Sequence, residues 1–392
     1  MPATDLDLNR PATIAAACYL TATAFAPALL LPLLVGAAAR QLELTPQQVG
    51  VAASSLLAGL ILVMVSAVLW IRRSRWRRVG AAASIAATLC FLLVGQADSF
   101  SMLLGGLFLG GVSLGGIYAP SISALSDTRL PDRNFGYALF TQIILGAGLG
   151  FVSGGVSERW GLAGYATLMA AGTLSALLAL PWFPDRGAPK KAPAASVAAV
   201  GARAPAYAGL AGMFLMSVGS VAVWAFFERI GAAYHFSAAS IARVVSIGLV
   251  FSIPATLLAA FMGNRFGRIL PLSAATLILV ATYALVASSP SFSIYLLAGI
   301  LIQSMWSFGQ PFQFGAISSV DTSGRLIVLA PACQGTGGMV GPALAGMVLV
   351  GDNFWPVILL ATVTSLLGLL LFVWLCRHQV APTPPATTPS AA

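Results

Sequence analysis

Residues 145–155 read LGAGLGFVSGG and residues 336–346 read TGGMVGPALAG. Set 191 residues apart, the two stretches superimpose Gly146, Gly150 and Gly155 on Gly337, Gly341 and Gly346, and the same offset carries Pro120 onto Pro311. At nearly that offset Thr45 meets Ser237, and the basic run Arg72 to Arg78 meets Asn264-Arg265-Phe266-Gly267-Arg268. Ala124-Leu125-Ser126-Asp127-Thr128 likewise resembles Ser318-Ser319-Val320-Asp321-Thr322 after a three-residue slip. A match in spacing as well as in residue type marks an internal duplication.

Each copy is built from long apolar segments, twelve in all, near 12–39, 48–71, 79–97, 102–125, 135–157, 162–183, 207–231, 240–262, 269–289, 293–318, 324–350 and 353–376. The 392 residues are 58% hydrophobic and only 8% charged, too apolar for any soluble core to hide. About 20 apolar residues cross the hydrocarbon layer as a helix, and these segments are of that order. None alternates with period two, as a lipid-facing barrel requires. Helices remain, since they satisfy their own backbone. Thr45-Pro46, Ser237 and Ser291 are placed to cap them. The fold expected is an all-α membrane protein, twelve transmembrane helices in two pseudo-symmetric six-helix bundles.

With the N-terminus inside, 16 of the 20 Lys and Arg residues fall on the cytoplasmic side, leaving only Arg40, Arg159, Arg229 and Arg243 outside. That asymmetry orients the chain in a cytoplasmic (inner) membrane with both termini cytoplasmic. The bundles are expected at 1–183 and 207–376, joined by a cytoplasmic linker over 184–206 and followed by a disordered tail over 377–392, both rich in Ala and Pro. The first segment exceeds the core of a secretory signal and reads as a retained helix. The net charge of +9 lies in these loops, with no polar module for nucleic acid. Cys18, Cys90, Cys333 and Cys376 show no metal-ligand spacing, and His235 and His378 are isolated, so neither metal nor cofactor is expected.

These features resemble the major facilitator superfamily over essentially the whole chain apart from the tail. Its pattern between the second and third helices, G-x-x-x-D-R-x-G-R-R, is matched in the second copy by Arg265, Gly267 and Arg268, with Asn264 at the acidic position. In the first copy Arg77 and Arg78 match the terminal pair, Arg73 stands at the acidic position and Trp76 at the glycine. The glycine series ending in Gly341-Pro342 and Gly346 resembles a pattern of antiporters in the fifth and eleventh helices. Physically such glycines either let helices slide or simply pack them closely. The resemblance implies a cavity lined by the first, fourth, seventh and tenth helices, gated by the cytoplasmic loops with Asp127 and Asp321.

On the tenth segment Gln303, Trp306, Ser307, Gln310, Gln313 and Phe314 share one broad face, and glutamine amides facing lipid would lack partners. They imply a wet cavity or contacts between helices. The seventh segment adds Ser217, Ser220, Trp224 and Glu228, the first Tyr19 and Thr23, the fourth Tyr118. Glu228 is the acid best placed to exchange a proton, yet its distance from Tyr207 and its neighbour Arg229 equally suit an interfacial anchor. Without a buried basic cluster, the lining fits a small neutral, cationic or amphipathic organic molecule. No nucleophile and base pair and no G-x-x-x-x-G-K-[ST] loop occur, which argues against an enzyme or direct use of ATP. The expectation is therefore a secondary transporter working as a monomer by alternating access, exporting a solute against protons. Uptake with protons is the alternative, and a passive channel fits a single-chain duplication less well.

Overall fold

The computed structural model describes residues 8–187, 203–288, 291–321, 326, 329–351 and 353–378. Most of the expected linker and tail, with Lys190, Lys191, Thr322 and Arg325, lies outside the described residues. The helices are α1 (Pro11–Leu29), α2 (Leu31–Leu42), α3 (Pro46–Trp70), α4 (Trp76–Gly95), α5 (Phe100–Ser126) and α6 (Pro131–Ser175) in the first half. The second half holds α7 (Arg203–Ala233), α8 (Ala238–Met262), α9 (Ile269–Ser288), α10 (Phe292–Val320), α11 (Ala330–Val348) and α12 (Trp355–Arg377).

These twelve helices are not the twelve crossings one for one. The first crossing is α1 and α2 together, broken at Leu30, where Pro27 and Pro32 interrupt the ladder of backbone bonds. Conversely, α6 has 45 residues, far more than one bilayer accommodates. It doubles back at Gly161, whose φ of 59° and ψ of −143° are open to glycine and strained for any side chain. Thus α6 supplies the fifth and sixth crossings, and two 3-10 turns (Ala176–Leu178 and Leu180–Trp182) finish the sixth. Among the described residues ten helices are long and apolar enough to span a membrane; the glycine-rich α11 falls outside that set and completes the count.

The expected caps are present. Thr45 accepts from the Gln48 amide while the Gln48 side chain accepts from Thr45, a reciprocal box. Ser237 accepts from Ser240 N–H at 3.2 Å and Ser291 from Ile294 N–H at 3.3 Å. The slip between the two Ser-x-Asp-Thr-like stretches also has a structural cause. Asp127 and Asp321 each occupy the C-cap of their helix, but α10 runs three residues further beyond Pro311 than α5 does beyond Pro120.

Packing repeats with the sequence. In the first half α3 packs on α5, and α4 on α5 and α6; in the second α8 packs on α10, and α9 on α10 and α12. The halves meet through α3 with α11, α6 with α8, and α2 with α7, so that exchanging the halves maps the first two contacts onto each other. Residues facing away from both bundles are apolar and bare, as at Val68 (84% exposed) and Leu69 (77%), which suits a lipid surrounding.

The six glycines divide unequally. Gly146 and Gly150 face Leu249 and Ser246 of α8, so they lie between the halves. Gly337 and Gly341 instead touch the α7 backbone of their own half, at Phe214 and Val218, while Gly346 abuts Pro46 and Gln47 of α3. Gly155 departs from the expected packing role. A Cβ there would meet nothing within 4 Å, and its neighbour Gly154 makes the contact with Ala239 and Ala242.

Candidate functional site

An even number of crossings brings both described ends to one face, called here the near face, opposite a far face. On the far face contacts among the described residues join the halves. Gly50 lies against the Pro342 carbonyl, bringing α3 and α11 into backbone contact. The Glu158 carboxylate, past the fifth crossing, accepts the Ala239 N–H at 2.9 Å and so caps the first turn of α8. Between α2 and α7, Arg40 donates to Glu228.

That ion pair sets the surroundings of Glu228. The carboxylate is buried, 3% exposed as a residue, at the far end of α7, so it anchors no lipid interface. Gly36 makes room for it: a Cβ there would overlap the carboxylate. A far-side cavity of about 340 Å³ opens over the pair, bordered by Val35, Gly36, Arg40, Glu43, Glu228 and Arg229. The acid therefore sits on the far-face side of the barrier, away from mid-membrane.

Below the pair lies the break in the first crossing. Leu33 N–H, which would serve Leu29 in an unbroken helix, bonds the Leu30 carbonyl at 3.1 Å, joined there by Leu34 N–H at 3.2 Å. The Tyr165 hydroxyl also donates to Leu30, at 3.0 Å, from within the same half. The Leu29 carbonyl receives its donor from the other half, the Trp224 indole N–H at 3.3 Å. A buried carbonyl without a donor costs about 1–3 kcal/mol, so this indole matters. Trp224 is stacked on Phe227 at 5.5 Å, and Phe227 on Tyr295 at 4.5 Å, which fixes the ring.

The other expected lining residues divide. Tyr118 is half-buried, 5.6 Å from the Phe25 ring of α1, and its hydroxyl interacts with Gln142 of α6. The Tyr19 hydroxyl lies 2.7 Å from that of Ser175, and Thr23 is buried and bonds Leu20 in its own helix. Those two are committed within the first half. On α10, Trp306 and Gln310 are half-buried, while Gln303 leans towards Gly248 of α8 and Gln313 is buried with its amide towards Met216 of α7. The shared face seen in the sequence is thus split between two neighbours. Sequence reasoning missed Phe25, Leu29, Tyr165, Glu158 and the role of Arg40. Pro27 and Pro32, five residues apart in one apolar segment, were the available signal for the break.

On the near face the following contacts lie within one half. Arg72 forms a forked pair with Asp127, its second nitrogen at 3.0 Å, and Arg77 donates to the carbonyls of Phe183 and Pro181. Asp127 presses Arg72 towards its charged form, raising the guanidinium pKa. In the second half Asp321 accepts from Leu326 N–H at 2.8 Å, while Asn264, Arg265 and Gly267 are exposed and Arg268 is half-buried.

The family signature of the Major Facilitator Superfamily matches residues 12–318. The chain belongs to that superfamily. No curated protein matches it in sequence. Among solved superfamily-type transporters, a bacterial homolog of the human lysosomal transporter Spinster, inward-facing and unoccupied, superimposes with a TM-score of 0.71 at 13% identity, over 96% of this chain and 100% of that one. The nucleoside transporter NupG gives 0.71 at 14% identity, over 93% and 98%. A POT family transporter in complex with 5-aminolevulinic acid gives 0.71 at 10% identity, over 93% and 96%. Identities this low speak for the fold alone. As a superfamily member the chain is a multi-pass membrane transporter.

Proposed function

We propose that this transporter exports a small neutral, cationic or amphipathic organic solute across the cytoplasmic membrane in exchange for protons, as a monomer, by alternating access. The carrying observation is the Arg40–Glu228 pair, which bolts the halves together at the far face. The far face is read as the exterior, because Arg40, Arg159, Arg229 and Arg243 alone among the basic residues belong there. In that orientation the described form is bolted on its exterior side. A proton arriving from outside neutralises Glu228, frees Arg40 and lets the far side part, so that the solute leaves. Net exchange requires that proton to leave on the cytoplasmic side as the pair re-forms and the far side closes. Tyr118, Trp224, Trp306 and Gln310 line the path of the solute, and the loops around Arg72–Arg78 and Asn264–Arg268 bound it at the near face.

Proteoliposomes loaded with ethidium test this. An inward-directed proton gradient is expected to drive efflux in the wild type, and Glu228→Gln is expected to abolish the gradient dependence while ethidium still equilibrates. Full gradient-driven efflux in Glu228→Gln would remove the proton role. Accumulation with the proton flow instead of against it would establish uptake.

A further inference from the structure

We propose that the Leu29 carbonyl is a solute contact, and that the solute it takes carries an N–H donor: an amine, an ammonium or an amide on a compact, largely apolar body. The inference rests on alternating access as set out above, and names the chemistry of the molecule moved. The carbonyl has lost its own helix's donor, because Leu33 N–H is turned to Leu30. Its remaining partner, the Trp224 indole, belongs to the opposite half and reaches it at 3.3 Å, the long end of an N–H···O bond. Any movement that parts α2 from α7 withdraws that indole. The Leu30 carbonyl behaves differently, since Leu33, Leu34 and Tyr165 all travel with it. Of the two carbonyls at the break, Leu29 is the one that opening leaves without a donor.

An orphan carbonyl in a low-dielectric interior draws the next available donor. A single oxygen is a poor seat for a bare metal cation, which requires several oxygens at once. It does suit one directional N–H. The neighbouring surface fits the rest of such a molecule: Leu29 and Phe25 are half-buried on the same face of α1, and the Phe25 ring meets Tyr118. Aromatic faces hold an apolar body and favour a cationic head. A solute whose N–H displaces the indole from this carbonyl holds the far side open, and its departure lets Trp224 close it.

Trp224→Phe removes the competing N–H and keeps an aromatic ring. Binding of two probes to purified protein, phenethylammonium and its N-trimethyl analogue, follows by isothermal titration. The variant is expected to bind phenethylammonium about five-fold more tightly than the wild type, the worth of one hydrogen bond, and the trimethyl analogue within about two-fold. Tyr165→Phe, which alters Leu30 alone, is expected to leave the ratio of the two affinities unchanged. Equal changes for both probes, or no binding of either, would overturn the Leu29 contact. Alternating access is tested separately, by labelling Ala225→Cys with an impermeant maleimide from outside. Labelling that rises as external pH falls, with no preference for the N–H probe, refutes only the contact; labelling that never changes refutes the cycle beneath it.

Discussion

The two near-face loops descend from the same position in the duplicated chain and have come to opposite ends. In the first half Trp76 is fully buried against Phe183, lies beneath Arg72 at 6.0 Å, and donates its indole N–H to Ile71 at 2.7 Å. Its backbone N–H bonds Asp185 beyond the sixth crossing at 2.8 Å. In the second half Phe266 is 59% exposed, between Gly263 and Gly267, both at positive φ. Yet this second loop is the one that keeps more of the superfamily pattern. The first has Arg73 in place of the acid and Trp76 in place of the glycine, and it is the one locked down. Asp127, arriving from the end of α5, supplies the carboxylate that the loop lacks. Retaining a pattern and being engaged are therefore separate matters, and the first bundle has the stiffer base.

The largest expected difference comes from the aromatic rings. Trp76→Ala should cost about 3–5 kcal/mol in unfolding measured in detergent, as for other large buried rings, whereas Phe266→Ala should stay within about 0.5 kcal/mol. Equal losses would erase the contrast. Next, Asp127→Asn deprives Arg72 of its anion and should cost about 1–3 kcal/mol, while Asp321→Asn keeps an acceptor for Leu326 N–H and should cost under about 0.5 kcal/mol. The same unfolding assay decides. The smallest effect is a null in pH. Because Asp127 raises the Arg72 pKa above the ordinary guanidinium range, the contribution of that guanidinium is whole at every pH below that range and is lost only above it. The Asp127→Asn deficit should accordingly stay flat from about pH 7 to pH 10, and a decline across that window would mean another group holds the loop.

How much of this was legible in the sequence follows from the range of each interaction. Helix caps are local, so Thr45, Ser237 and Ser291 could be read at once. The duplication was legible because glycine spacing is one-dimensional, and even its three-residue slip turned out to be a longer α10. Gly155 failed because one step around a helix separates open space from the contact made by Gly154. The candidate site was less accessible still. Arg40 and Glu228 are 188 residues apart, and no periodicity links them. The Leu29 carbonyl is backbone, invisible to any argument from side chains, and only its flanking prolines hinted that its own helix would leave it without a donor.

The single-residue reversal at Gly161 has a mechanical consequence. With no slack between the two arms of α6, the fifth and sixth crossings form a stiff fork, so a push delivered by α8 against one prong is felt by the other without delay. Through the Tyr165 hydroxyl, carried on the second prong, that push reaches Leu30 and the elbow of the first crossing. Glycine at 161 thereby joins the second arm of α6 to the elbow of the first crossing with no loop between the arms.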